Sequence, residues 1–308
     1  MSDVNLKAAH DLAAMGQSPA RLALGRFLGH RLGVVSALLL ILLVVAAVTA
    51  PALEAWRDVS AIEQSILNRF EAPSNAHPLG RDELGRDVLA RLIRGGQVSL
   101  TVGLVTALIG AVIGTGIGLL AGYFGGRLDA ALMRVTDGVI SLPLLPLLIV
   151  LAALDPAKLP LPEGENAALW RIILILSLVS WTTVARLVRG AVLQVRTEDF
   201  VRAARALGAG HGRIMLRHIL PNVMAPIIVA TTLSIGGIIL LESVLSFLGL
   251  GIQLPTPSWG NMLTGAQDYM INAPHLALWP GLAILITVMA FNFLGDALQA
   301  ALNPKQPG

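Results

Sequence analysis

Six apolar stretches alternate with polar segments along the chain, each long enough, or nearly so, to cross a hydrocarbon core about 30 Å thick. The first, Leu32 to Ala50, carries no charge and would make a helix of about 28 Å. The second covers Val98 to Ala121. The third covers Ala131 to Leu154, and its Pro143 and Pro146 are tolerable only if neighbours satisfy the freed carbonyls. The fourth, Trp170 to Leu187, is the weakest: only Ile172 to Ala185 is free of charge, so Arg171 and Arg186 would have to snorkel. The fifth runs from Val223 to Leu250 around Glu242, and the sixth from Leu276 to Leu298. The pattern predicts an all-α polytopic membrane bundle of six transmembrane helices.

The polar segments set an expected orientation. With both termini cytoplasmic, the inner segments hold fourteen Lys and Arg residues, from Lys7 to Lys305, and the outer ones eight, including Arg57 and Lys158. That is the positive-inside bias, with Asn75 outside and His211 inside. Trp56, Trp170, Trp259 and Trp279 then fall on the outer side, where an interfacial belt would sit. Val48-Thr49-Ala50 resembles a signal-peptide cleavage site, but the preceding region and the apolar run are both too long, so an uncleaved helix is expected. In the long loop after the first helix, Ile62 to Phe70 is expected to lie on the membrane as a short amphipathic helix.

Composition supports a bilayer environment. Of 308 residues, 55% are hydrophobic and 13% charged, where a soluble domain carries about 25% charged residues. The formal charge of +3 does not point to nucleic acid, because the arginines flank apolar runs instead of forming an aromatic-interleaved stripe. No cysteine is present, which excludes disulfides, thiolate nucleophiles and cysteine zinc sites. His10, His30, His77, His211, His218 and His275 lack metal-ligand spacing, and the chain has no GxxxxGK[ST], HExxH or GxSxG. No catalytic residue, metal or cofactor is expected, and ATP-driven work would need a separate ATPase chain.

Segment 186–222, between the fourth and fifth stretches, is the most informative. Thr197 can cap a helix whose first turn carries Glu198 and Asp199, both favourable to the N-terminal dipole. Phe200, Ala203, Ala204 and Leu207 recur at i, i+3, i+4 and i+7 as one apolar face. Gly208, Gly210 and Gly212 permit a turn into a second helix, Arg213 to Leu220, before Pro221 starts the next span. Such a helix-turn-helix has little core of its own and needs a partner. Elsewhere, Gly110, Gly114, Gly118 and Gly122 stand four apart, a repeated GxxxG that lets another helix approach closely. Gly116-Ile117-Gly118 could suggest a dinucleotide fingerprint, but no strand precedes it. Glu242 is the one carboxylate well inside a span; it would line a pathway, bond across an interface, or pack as a satisfied buried group. Arg134 and Asp137 are expected to pair locally.

Ala203-Ala204, Gly208 and Ile219-Leu220-Pro221 together resemble the EAA loop of ABC importer permeases, with Arg202 where that family often has glutamate. Four further segments narrow the resemblance to the dipeptide/oligopeptide/nickel branch: His77-Pro78-Leu79-Gly80 with Leu84-Gly85-Arg86-Asp87; Ser246 to Gly251; Pro257 to Asn261; and Asn292 to Asp296. Arg81 and Leu254 depart from the usual threonine and proline. The resemblance implies that Ala203, Ala204, Leu207, Gly208, Ile219, Leu220 and Pro221 couple to an ATPase. It implies two ATPase subunits, a second and different permease, an extracytoplasmic binding protein, and a bacterial inner membrane. Peptides lead as solutes, with nickel chelates and glutathione behind. The expected division is a cytoplasmic segment 1–31, a first helix with outer loop 32–96, and a permease core 97–304. An ion-driven secondary transporter is the alternative; it would need several buried carboxylates and inverted repeats, and only Glu242 meets the first demand. An intramembrane enzyme lacks a nucleophile and metal ligands.

Overall fold

Every apolar stretch becomes helix, but the helices do not stop where the apolar stretches do. The computed structural model describes residues 19–153, 164 and 166–302; Lys7, His10, Leu154, Lys158 and Lys305 lie outside them. The helices are α1 (Pro19–Gly29), α2 (Arg31–Val48), α3 (Ala50–Arg57), α4 (Val88–Phe124), α5 (Gly126–Ser141), α6 (Leu144–Ala152), α7 (Ala167–Val195), α8 (Asp199–Ala206), α9 (His211–Phe247) and α10 (His275–Leu302). Five of them, α2, α4, α7, α9 and α10, are long and apolar enough to cross a membrane.

The third expected span is not one helix. α5 and α6 meet at 84° around Pro143, because the residue before a proline is driven out of helical geometry. Pro146 costs α6 nothing, since it stands in the first turn, where its missing N–H would have had no partner. Between α4 and α5, Gly125 and Gly126 adopt φ of 68° and 58°, which breaks the helix within two residues.

α4 and α7 pack along most of their length. A Cβ on Gly114 would lie 2.6 Å from Trp181 O and 2.8 Å from Val184 Cβ, and one on Gly118 would lie 2.7 Å from Ala185 O. Gly110 and Gly122 meet Ser180 and Val192 in the same way, so the glycine ladder is the seam for α7. On the outer surface of the bundle, Leu38, Leu42, Leu108 and Val112 are more than half exposed, the reverse of a soluble core and the arrangement a bilayer requires.

Several local expectations need correction. Ile62 to Phe70 is not a helix beyond a single turn at Ile66–Asn68. Its backbone is spent on segment 81–84 instead: Ser65 N–H donates to Leu84 O, Phe70 N–H to Asp82 O and Arg81 N–H to Glu71 O. Trp259 is 2% exposed and donates its indole N–H to Leu92 O, so it belongs to the core and not to an interfacial belt. Arg171 does not snorkel; Nη2 donates to the carbonyls of Leu250 and Gly251. Asp137 pairs with Arg186 of α7, not with Arg134.

Candidate coupling surface and buried Glu242 node

At the end of the bundle where α4 and α7 finish, α8 stands as a short bracket. Arg196 closes the corner, donating to the carbonyls of Gly122 at 2.9 Å and Tyr123 at 3.4 Å. Thr197 does not cap α8: its hydroxyl turns back to Gln194 O, Glu198 is the N-cap residue, and no side chain caps it. The apolar residues of α8 split between two faces. Val201, fully buried, joins a cluster with Ile214, Ile219 and Val223 of α9 and Val188 and Val192 of α7, and Ala204 on the same side of α8 is 8% exposed. Phe200 at 42%, Leu207 at 88% and the exposed Ala203 point away from the bundle. Successive residues on a helix turn by about 100°, which leaves Ala204 between Phe200 and Val201 and free to fall on the buried side.

The seven residues of the expected coupling set therefore divide. Ala203, Leu207, Gly208 and Pro221 are exposed, Leu220 is half-buried, and Ala204 and Ile219 are buried supports. Gly208 has φ of 80° in the turn after α8, a conformation in which a β-branched residue is strained. The second helix of the expected helix-turn-helix is not separate: α9 runs from His211 straight into the span. Pro221, which has no N–H, is accommodated by a π-helical stretch at Ile214–Ile219 and a 3-10 turn at Leu220–Val223. Around this bracket the surface is cationic and aromatic. Arg205 lies 5.9 Å from the Tyr123 ring centroid, Tyr123 hydroxyl is hydrogen-bonded to His211 Nδ1 at 2.8 Å, and Arg202 reaches Thr197 O at 2.9 Å.

Glu242 lies toward the opposite end and is fully buried within its own chain, so it faces neither an open pathway nor an exposed interface. Two serines serve it as relays. Ser246 donates to Oε1 at 2.7 Å and accepts from Ile252 N–H at 3.0 Å. Ser99 of α4 donates to Oε2 at 3.0 Å and accepts from Trp259 N–H at 3.2 Å. The carboxylate thereby fastens α4 and α9 to the connection between α9 and α10. Gly251 and Gly260 make room for this, since a Cβ on either would collide with Ser246 or Ser243. The segments 246–251 and 257–261 thus converge on a single node. Asn261 completes it: its amide donates to Thr256 O at 2.8 Å, and its Oδ1 accepts from Ser258 N–H at 3.0 Å.

The ionic lattice at the same end carries no periodic signal in the sequence. His77 donates Nδ1–H to Asp87 at 2.7 Å and accepts from Arg81 at Nε2; Asp87 also caps α4 through Ala90 N–H. Arg86 pairs with Asp82 and Glu83 at 2.7 Å each. Only the motif spacing 77–80 and 84–87 hints at it. Among the described residues no three His, Asp or Glu side chains gather as metal ligands.

Residues 114–306 match the family described as binding-protein-dependent transport system inner membrane component, and residues 18–73 match the N-terminal TM domain of oligopeptide transport permease C. The chain is 37% identical over 288 residues to a dipeptide transport system permease protein, DppC, of Alkalihalophilus pseudofirmus, covering 94% of this chain and 90% of the relative. It is 38% identical over 280 residues to a glutathione transport system permease protein, GsiD, of Pectobacterium atrosepticum (91% and 89% covered). It is 40% identical over 283 residues to the GsiD of Escherichia coli (92% and 89% covered). Among solved structures, an inward-facing conformation of the MetNI methionine ABC transporter shares the fold at a TM-score of 0.56 and 22% identity, over 70% of this chain and 97% of that one. Similarity to these relatives runs over nearly the whole chain, and the chain belongs to the binding-protein-dependent inner-membrane components, the permease subunits of ABC importers.

Proposed function

We propose that the chain forms half of a solute pathway across a bacterial inner membrane, paired with a second, related permease. Two separate ATPase subunits engage the pair from the cytoplasm, one of them gripping the α8 bracket of this chain, and an extracytoplasmic binding protein delivers solute to the opposite end. Both termini lie in the cytoplasm. The first helix and its loop, 32–96, form an addition to a permease core at 97–304.

The observation that carries this reading is the split of α8. Phe200, Ala203 and Leu207 are apolar and exposed, while Val201 seats the helix in a buried cluster with α7 and α9. An exposed apolar ridge on a backed helix transmits a push; a loose loop would absorb it. Closure of the ATPases on ATP moves the bracket, and α9, which packs against it and runs on past Glu242, carries that motion inward. The solutes are small peptides or glutathione-like molecules, the classes named for the relatives.

Co-expression with the neighbouring subunits tests this. ATP hydrolysis should require both permeases and both ATPases and rise when loaded binding protein is added. A ligand screen on that binding protein identifies the solute. Uptake by this chain alone in liposomes, driven by an ion gradient, would contradict the reading.

A further inference from the structure

Between segment 82–91 and the chain that follows α9 lies a cavity of about 170 Å³. Arg86 and Arg91 line it, 3% and 2% exposed, together with Asp82, Glu83, Ser246 and Thr264. Both guanidinium groups converge on one carboxylate oxygen: Asp82 Oδ2 accepts from Arg86 Nε at 2.7 Å and lies 3.2 Å from Arg91 Nε. The other oxygen is spent on the backbone N–H groups of Leu84 and Arg86, at 2.9 Å each. Glu83 takes Arg86 Nη2, but from the rim, where its side chain is 31% exposed. Arg91 Nη1 donates to Ala61 O at 3.3 Å. Among the described residues, Arg86 Nη1 and Arg91 Nη2 have no acceptor.

Asp82 inside and Glu83 at the rim match the two guanidinium charges, so what the cavity offers a ligand is unspent N–H donors, which a carboxylate can accept from. Guanidinium forks suit a carboxylate better than a point charge does. The volume is smaller than the roughly 300–1,000 Å³ of pockets that enclose whole ligands, so it fits an end group. We propose that this cavity is a carboxylate site that receives the carboxylate end of a solute handed over at the outer end of the permease. The outward orientation rests on the importer reading above. An acidic side chain of the docked binding protein has the same chemistry, and the test separates the two.

The probes are Gly-Gly and its C-terminal amide, titrated calorimetrically into the purified complex of permeases and ATPases without binding protein. Gly-Gly should bind saturably and the amide should not. Gln253→Glu, on the exposed rim, adds a competing charge and should weaken Gly-Gly by about tenfold while leaving complex yield unchanged. Arg91→Lys keeps the buried charge but loses the fork and should weaken it as well. Equal binding of acid and amide, or an unaffected Gln253→Glu variant, overturns the proposal. So does competition between acetate and ligand-free binding protein with no binding of Gly-Gly, since the carboxylate would then be that protein's own. ATP hydrolysis in the same preparation reports on the importer reading independently of this site.

Discussion

At the residue scale, Glu242 shows how far a single position can be read. Its place inside an apolar span marks it as unusual, yet nothing in the sequence names Ser99, 143 residues away, as its partner. Serines are common, and a relay depends on where two helices cross. Ala204 is the converse case. The heptad-like spacing grouped it with Phe200 and Leu207, and a turn of about 100° per residue left it on the border between two faces. Its burial on the side of Val201 decided the matter. Glu242→Gln keeps an acceptor for one serine and turns a donor on the other, so complex yield and melting should stay close to wild type. Glu242→Ala removes both acceptors, orphans two buried hydroxyls and leaves a void. It should destabilise the permease by about 2–4 kcal/mol, read as a fall in melting temperature of the purified complex. If the alanine variant melts with wild type, the node does not hold the connection.

At the element scale, the apolar runs gave away the helices because burial in lipid demands them, but not their ends. α4 begins ten residues before its apolar stretch because Asp87 caps it, and the ionic lattice shelters its first turns. α9 begins well before its apolar stretch for a different reason: its first turns pack under α8. The bend between α5 and α6 could be suspected from two prolines, though its 84° angle could not. The failed surface helix at 62–70 had apolar residues in a plausible pattern. Pairing with segment 81–84 took the backbone donors that a helix would have used. The glycine ladder was legible in full because GxxxG spacing states its own geometry. It yields a controlled prediction. Gly114→Leu and Gly118→Leu should wreck the α4–α7 seam and collapse complex yield. Gly116→Leu, on the same helix with nothing within 4 Å of its Cβ, should be tolerated. Equal effects at all three positions would mean that the seam is not what the glycines serve.

At the scale of the whole molecule, five spans and one bent pair leave two working ends, a bracket and a capped node, joined by α9. That arrangement requires the loop around Asn75 and the turn at His211 to lie on opposite sides of the membrane. The chain has no cysteine, so Asn75→Cys should react with an impermeant thiol reagent from outside and His211→Cys only after the inner face is opened. Labelling of both from one side would refute the topology.

The central claim is that α8 is where an ATPase takes hold. Ala204→Glu is a poor test, because a carboxylate at that buried position would unseat the bracket whether or not anything docks there. Leu207→Asp and Gly208→Val act on exposed positions: one spoils the apolar ridge, the other strains the turn at φ of 80°. Pull-down of the ATPase subunits by each variant, from membranes where the permease pair is at wild-type abundance, is the direct measurement. Retention should fall by about tenfold or more, equivalent to about 1.4 kcal/mol or more of lost docking, with transport abolished. Wild-type retention and transport in both variants would contradict the account.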